Sequence, residues 1–360
     1  MNIAFRVDSS KEIGSGHFSR CLALAEHLQI HNYKLFFISR AILPKNKNEL
    51  LEKKIKFFLL RNNLNRSLNN FSLKHSKWLN VSQQVDANQT LNKLSNYNID
   101  YMVVDHYALD FKWEEIILRK YKNILVIDDL ADRKHYCKVI LDQNYYKNMS
   151  KRYNKLVNKK TKLLLGPKYC LIKMDILKYK LANKIIKHRL NKILVMFPGQ
   201  DQKKYTNKTL NVLKKFDLFK FKVDVIITEN CLNINELKKL CKYYKFNLHI
   251  QTDSIGKLMK ESDLMISAGG VTTWEKLYFK LPSIVVATSY NQKKAMKDLS
   301  KTNSIIYLGY LYKTYEARLF NEFKIILNNK NYLFRCKKNI SINVDGNGSK
   351  RVFEYLNSYK

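Results

Sequence analysis

The sequence predicts an α/β protein built from two open, mostly parallel sheets in series. Three observations carry that prediction. Short apolar runs of strand length alternate with segments of helical period along most of the chain. The alternation stops in a Lys-rich stretch from about Ile176 to Leu190, then restarts. A length of 360 residues is enough for about two domains. Alternating β and α segments form a parallel sheet with right-handed crossovers. The expected domains are residues 1–180 and 190–360.

Asn2–Val7 is a short apolar run and the first expected strand. A polar stretch, Asp8–Gly16, follows it. Phe18, Cys21, Leu22, Ala25 and Leu28 then fall on one helical face. Further strands are expected at Lys34–Ser39, Lys56–Leu60, Tyr101–Asp105, Ile124–Ile127 and Val139–Leu141. After the Lys-rich connection, strands are expected at Lys192–Phe197, Lys222–Thr228, Asn247–Gln251, Leu264–Ser267 and Ser283–Ala287. Helices are expected at Asn207–Lys215, Ile234–Tyr243, Gly270–Phe279, Asn291–Leu299, Thr314–Leu327 and Ser349–Tyr359. Open sheets of this kind bind ligands at the carboxyl ends of their strands. With two sheets, the crevice between them is the expected site.

Composition excludes several classes. An apolar fraction of 46% and a charged fraction of 27% are globular values, so the chain is not disordered over most of its length. Four Pro and ten Gly exclude a collagen-like or linker-like chain. The net charge of +36 invites a nucleic-acid reading. Only twelve of the 66 basic residues are Arg, the better fork for phosphates and base edges. The lysines are spread among many Asn, Ile and Tyr, as on a solvated basic surface, and no specific nucleic-acid partner is expected. Such a surface still draws anionic ligands. Cys21, Cys137, Cys170, Cys231, Cys241 and Cys336 show no zinc spacing and are expected to be reduced thiols in a cytoplasmic protein. Met1 leads straight into the first strand, so no signal peptide is expected, and no apolar run approaches a membrane span.

Two segments carry candidate chemistry. Gly14-Ser15-Gly16-His17 directly follows the first strand. The glycines allow a tight turn and close approach of backbone to a ligand. His17 then falls in the first turn of a helix, where the dipole disfavours the imidazolium, and a neutral imidazole is what a general base needs. The second segment, Ser267-Ala268-Gly269-Gly270-Val271-Thr272-Thr273-Trp274-Glu275, follows a strand and opens a helix. Free N–H groups there suit a diphosphate. Thr272 and Thr273 add hydroxyl donors, and Glu275 is placed to accept from ribose hydroxyls. The spacing matches neither a P-loop nor a dinucleotide fingerprint.

Three acidic clusters fall at expected strand ends: Asp105-His106-Tyr107; Asp128-Asp129 with Asp132-Arg133; and Asp142-Gln143-Asn144. Paired carboxylates can hold Mg²⁺. Hydrogen bonding to loop backbone and to Arg133 is the preferred reading. A helix N-terminus already neutralises a diphosphate, so neither a metal nor a cofactor is expected. His27, His31, His75, His135, His188 and His249 are read as surface or packing residues, and Trp78 and Trp113 as packing. Cys21 lies one turn inside a helix and is not read as a nucleophile.

Together these motifs resemble the UDP-sugar hydrolases of pseudaminic acid biosynthesis. The parts are Arg6-Val7-Asp8, Gly14-Ser15-Gly16-His17 with Arg20, Trp78 to Gln83 with Asp86-Ala87, and Val104-Asp105-His106-Tyr107. Ile127 to Arg133, Leu141 to Asn144 and Leu165 to Tyr169 follow. The second half adds Ser267 to Gly270, Glu275, Asn291-Gln292 and Asp345-Gly346-Asn347-Gly348. The resemblance implies a GT-B-like fold, two Rossmann-like domains facing a central cleft. It implies inverting hydrolysis of UDP-2,4-diacetamido-2,4,6-trideoxy-β-L-altropyranose to UDP and free sugar, with water as acceptor. A monomer is expected, apart from the resemblance. His17 would activate the water. Asp8, Gly14, Gly16, Arg20 and Tyr107 would serve the sugar side or orient His17. Ser267, Gly269, Gly270, Val271, Thr272, Glu275, Asn291 and Gln292 would hold UDP. Where the family shows Phe-Gly-Gly-Ser-Asp, this chain has Phe197-Pro198-Gly199-Gln200-Asp201. Pro198 removes an N–H and fixes φ, which bears on the substrate more than on the fold. The runner-up is an inverting GT-B glycosyltransferase with an unidentified acceptor, for which Lys151–Lys162 would offer a basic patch.

Overall fold

The computed structural model describes residues 1–62, 73–179, 190–197, 199–310, 312–329 and 331–358. The chain forms two compact units. Unit 1 comprises Met1–Asn144, Asn148–Lys173 and the tail from Asn347; unit 2 comprises Tyr145–Lys147 and Met174–Gly346. His188, Pro198, Tyr359 and most of the Ile176–Leu190 connection lie outside the described residues.

Among the described residues unit 1 holds seven strands: β1 Asn2–Val7, β2 Lys34–Ser39, β3 Lys56–Leu59, β4 Tyr101–Asp105, β5 Ile124–Ile127, β6 Val139–Asp142 and β7 Lys162–Leu165. They pair in parallel in the order β3-β2-β1-β4-β5-β6-β7. Period-two alternation sorts β1 between two cores. Ile3, Phe5 and Val7 pack with helix Gly16–Ile30, and Ala4 packs on the other face with Trp113 and Ile117 of helix Phe111–Leu118. The helix face read from Phe18, Cys21, Leu22, Ala25 and Leu28 is buried throughout.

Among the described residues unit 2 holds six strands: β8 Lys192–Met196, β9 Lys222–Ile227, β10 Asn247–Ile250, β11 Leu264–Ala268, β12 Ser283–Val286 and β13 Ile306–Gly309. Their order is β10-β9-β8-β11-β12-β13, again parallel. Ile193, Val195, Val223, Val225, Leu264, Ile266 and Ile284 pack into an apolar core on one face of this sheet, and Leu194, Ile226, Met265 and Val285, on the alternate positions, are buried too. The strand order reverses at β1 and β4 in unit 1 and at β8 and β11 in unit 2. Crossovers leave in opposite directions at such a point and open a crevice at the carboxyl ends of the strands.

Two strands were not anticipated. β7 and β13 are edge strands, each only part-buried. An edge strand pairs on one side and needs fewer apolar residues, so its signal is weak.

The tail corrects the expected second boundary. Helix Gly348–Asn357 packs in unit 1, where Val352 and Leu356 are buried in the core around helix Gly16–Ile30. Phe353 stacks on His31 with ring centres 4.0 Å apart, and Arg351 Nη1 donates to Lys168 O at 2.7 Å. Chain order alone puts this helix with unit 2; its apolar face finds its complement in unit 1.

Gly348 is where the tail meets the body of unit 1. A Cβ there would lie 2.1 Å from the carbonyl oxygen of Cys170. Gly348→Ala is expected to lower stability by about 2–4 kcal/mol through that backbone clash. A urea melt, with amide exchange of the tail helix, checks it.

Candidate functional site

In unit 1 the site grows from the ends of β1 and β4. After β1 the chain turns through Gly14, whose φ of +78° suits glycine and whose N–H bonds to Ser10 O at 2.8 Å. Gly16 then starts the helix and His17 follows within its first turn. Asp105, the last residue of β4, is fully buried. Its Oδ1 lies 2.6 Å from His17 Nδ1. Arg20, one turn further along the helix, donates to both oxygens: Nε to Oδ2 at 2.5 Å and Nη2 to Oδ1 at 2.7 Å. Burial alone would raise the Asp105 carboxyl, but Arg20 and then His17 overcome it and hold it well below the usual range. A permanent carboxylate accepts only, so His17 donates from Nδ1 and carries its lone pair on Nε2. Among the described residues Nε2 has no hydrogen-bond partner.

Aromatic rings surround this imidazole. Tyr107 meets it edge-on with centres 4.4 Å apart. Trp78 stacks on Tyr107 at 5.6 Å, and His75 packs on Trp78 at 4.5 Å. Tyr107 OH donates to Asp129 Oδ1, and Arg20 Nη1 reaches Asp129 Oδ2 at 3.0 Å. Arg20 thus has its fork committed to two carboxylates, which makes it an orienting group rather than a free sugar ligand.

Asp8 also departs from expectation. Its carboxylate is fully buried, 2.5 Å from Arg6 Nη1, and accepts the Arg40 backbone N–H at 2.7 Å. His106 Nδ1 accepts from Ala108 N–H at 3.1 Å, so its Nε2 carries the proton and faces Asp8 Oδ2 at 3.1 Å. Asp86 closes the network with Arg6, Arg40 and Trp113 Nε1. The group clamps β1, β4 and helix Gln83–Lys93 together. Asp8 therefore offers no free carboxylate to a sugar.

The remaining acidic clusters are tied to backbone and arginine. Asp128 accepts from Ala131 N–H at 2.9 Å and from Arg133 Nη1 at 2.9 Å. Asp142 is pushed up to about 7, by burial first; Arg152 opposes this and Asp129 adds to it. Among the described residues no group of three or more His, Cys, Asp or Glu is placed to hold a metal ion. Cys21 is buried, and burial and Asp105 push its thiol well up, so it is no thiolate.

In unit 2 the corresponding ends are those of β8 and β11. Asp201, in the loop after β8, caps helix Tyr205–Leu213 by accepting from Tyr205 and Thr206 N–H, both at 2.8 Å. Gly199 has a φ of +77°, and Gln200 Oε1 accepts from Gln202 Nε2 at 2.9 Å. After β11, Gly269 and Gly270 differ in role. A Cβ on Gly269 would fall 2.4 Å from Met296 Cγ, so helix Tyr290–Ser300 packs directly on the turn. A Cβ on Gly270 would meet only Gln292 Nε2, at 3.8 Å, so its backbone is open. Gln292 Oε1 accepts from Thr288 N–H at 2.9 Å, which leaves its amide nitrogen beside Gly270. Val271, Thr272 and Glu275 are half-buried, Thr273 is buried, and Asn291 is exposed, accepting from Ser289 Oγ at 2.5 Å.

Ser267 is a correction. It is buried, and its Oγ accepts from Lys276 Nζ at 2.7 Å, so it does not present a hydroxyl to a nucleotide. Lys276 itself was missed. So were the roles of Asp105, Trp78 and His75 beside His17. Asp105 stands 88 positions from His17, and only the pairing of β1 with β4 brings them together. Its place at a strand end was the one signal available.

The model of the glycosyltransferase family 28 C-terminal domain matches residues 190–352. The chain is 25% identical over 324 residues to an uncharacterised protein of Methanocaldococcus jannaschii, covering 88% of this chain. It spans 61% of that relative's length. It is 24% identical over 303 residues to the UDP-2,4-diacetamido-2,4,6-trideoxy-β-L-altropyranose hydrolase of Campylobacter jejuni, covering 84% of this chain and 97% of that protein. In fold it is similar to the Acinetobacter baumannii MurG, with a TM-score of 0.66, 12% identity and 99% coverage of both chains. It is also similar to the UDP-GlcNAc 2-epimerase of Neisseria meningitidis, with a TM-score of 0.60, 13% identity, and coverage of 99% and 100%. The fold is GT-B-like, with two Rossmann-like units. Among the described residues no helix is long and apolar enough to cross a membrane.

Lys276 gives this region a pH signature. It is fully buried, and burial lowers it to about 7 from an ordinary value of 10.5, with Glu275 opposing. Between those values the unfolded chain binds a proton that the folded chain does not. The cost to folding therefore grows as pH falls from 10.5 and levels off below 7. Lys276→Met is expected to be more stable than the parent at pH 7, by several kcal/mol at about 1.4 kcal/mol per pH unit. The gap should close toward pH 10.5, as urea melts at a series of pH values would show.

Proposed function

We propose that this chain hydrolyses a UDP-linked sugar with inversion. Unit 1 supplies the base and sugar side, and unit 2 holds UDP. The observation that carries the reading is the His17–Asp105 pair: Nδ1 is held by a buried carboxylate while Nε2 has no partner among the described residues. In this reading a water oxygen attacks the anomeric carbon and gives its proton to Nε2. The bond from that carbon to the diphosphate oxygen breaks, and UDP leaves with the electron pair. Asp105 steadies the imidazolium so formed, and Arg20 keeps Asp105 charged. The open backbone at Gly270, with Thr272 beside it and the Gln292 amide, receives the leaving diphosphate. Glu275 takes the ribose hydroxyls. No step calls for a metal or a cofactor.

Two likenesses support the substrate class. One is to the Campylobacter jejuni hydrolase over most of both chains; the other is to the glycosyltransferase family 28 C-terminal domain over unit 2. The donor proposed is UDP-2,4-diacetamido-2,4,6-trideoxy-β-L-altropyranose. Incubation of the purified protein with this donor, chelator and no acceptor tests the reading, with NMR following the anomer first formed. UDP release with an inverted free sugar is expected. UDP binding without release would overturn hydrolysis in favour of transfer to an acceptor. His17→Ala is expected to keep UDP affinity and lose about two to four powers of ten in turnover. Asp105→Asn should lose a similar factor by releasing the Nδ1 tautomer. Full activity in either variant would remove the dyad from the mechanism.

A further inference from the structure

Among the described residues the buried lysines and arginines follow one pattern with one exception. Arg6, Arg20, Arg40 and Arg133 each lie within 3.0 Å of a buried or half-buried carboxylate. Lys276 does not. It is 0% exposed, and its amine has one hydrogen-bond partner among the described residues, the Ser267 hydroxyl at 2.7 Å. An ammonium has three N–H donors, and burying one without a counter-ion is costly. From β11 it faces Ser267; on its own helix, Thr272–Tyr278, the charged neighbour is Glu275, half-buried and with a partner of its own. No other ionisable described group acts on it. Ser267 lies two residues before Gly269, so the amine is tied to the strand that leads into the turn whose backbone is open at Gly270. The missing counter-charge and the open turn are two independent features of one place.

We propose that Lys276 is the positioning charge of the diphosphate site: its amine takes up a proton from solvent as a nucleoside diphosphate settles on the Gly269–Gly270 turn. The proton goes to Nζ, no other bond changes, and the proton is lost again when the nucleotide leaves. The proposal rests on the nucleotide reading above. Lys276 does not touch the ligand; it acts through the field of its charge at the turn. Its depressed proton affinity accords with this role. A lysine kept neutral for packing alone would respond to nothing bound at the turn.

Calorimetry with UDP tests it, between pH 7.5 and 9, where the terminal phosphate of UDP is already ionised. Titrations run in two phosphate-free buffers of different ionisation heat, so that the difference counts protons. The parent protein is expected to take up a substantial fraction of a proton per UDP bound, and to lose affinity by about tenfold across this range. Lys276→Met should abolish the uptake and flatten the pH dependence, with affinity near that of the parent at pH 9. Ser267→Ala, which keeps the amine, should keep the uptake. UDP binding by the parent with no proton uptake would overturn the proposal while leaving the nucleotide reading intact. So would uptake that persists in Lys276→Met. No UDP binding by the parent at any pH would overturn both.

Discussion

The buried carboxylate of Asp105 is the interaction on which the first unit's site depends. It ends β4, the strand beside β1 where the sheet reverses its order, and it takes bonds from three residues of the helix that leaves β1, His17, Arg20 and Cys21. One charge thereby sets the imidazole tautomer, anchors Arg20 and, through Arg20 and Asp129, fixes the Tyr107 ring. A water-exposed carboxylate would do this weakly. In a dry strand end, each charge-assisted bond is stronger and the geometry narrower.

A second buried network lies on the other side of β1. Period two sends Phe5 and Val7 to one face and Arg6 to the other, where Arg6 binds Asp8 and Asp86. A carboxylate in such a network would leave a buried cation unpaired if it were removed, so its first duty is structural. That is why Asp8, adjacent to a site in sequence, is not a site residue in space, while Asp105, distant in sequence, orients the base. Adjacency along a strand end says which residues are near a crevice; pairing says which of them are free.

The two units use the same topology with different charge. In unit 1 the strand ends at the reversal are filled by paired carboxylates and guanidinium groups. In unit 2 the reversal carries a capped helix after β8 and an open glycine after β11, with a lone amine tied to that strand. The net charge of +36 belongs to another level of organisation. Many of the lysines are exposed and act as a diffuse field for anions, whereas the buried cations are mostly arginines held by carboxylates.

The sequence by itself determined the α/β class, the order of eleven of the thirteen strands among the described residues, and the two glycine-bearing segments after β1 and β11. These are local properties: apolar runs, helical period and the backbone freedom of glycine. It did not determine which strands neighbour each other, and so could not pair His17 with Asp105 or bring Trp78 and His75 to the same ring cluster. It gave no sign that the tail helix returns to unit 1, because an amphipathic face does not name its partner. Tertiary structure also decided which polar groups are spent: Asp8 and Ser267 read as ligands in the chain but are consumed by Arg6 and Lys276 in the fold. The physical reason is common to all of these. Hydrogen bonding and ion pairing are short-ranged, so the partner of a polar side chain is settled only when strand order has put it within about 3 Å.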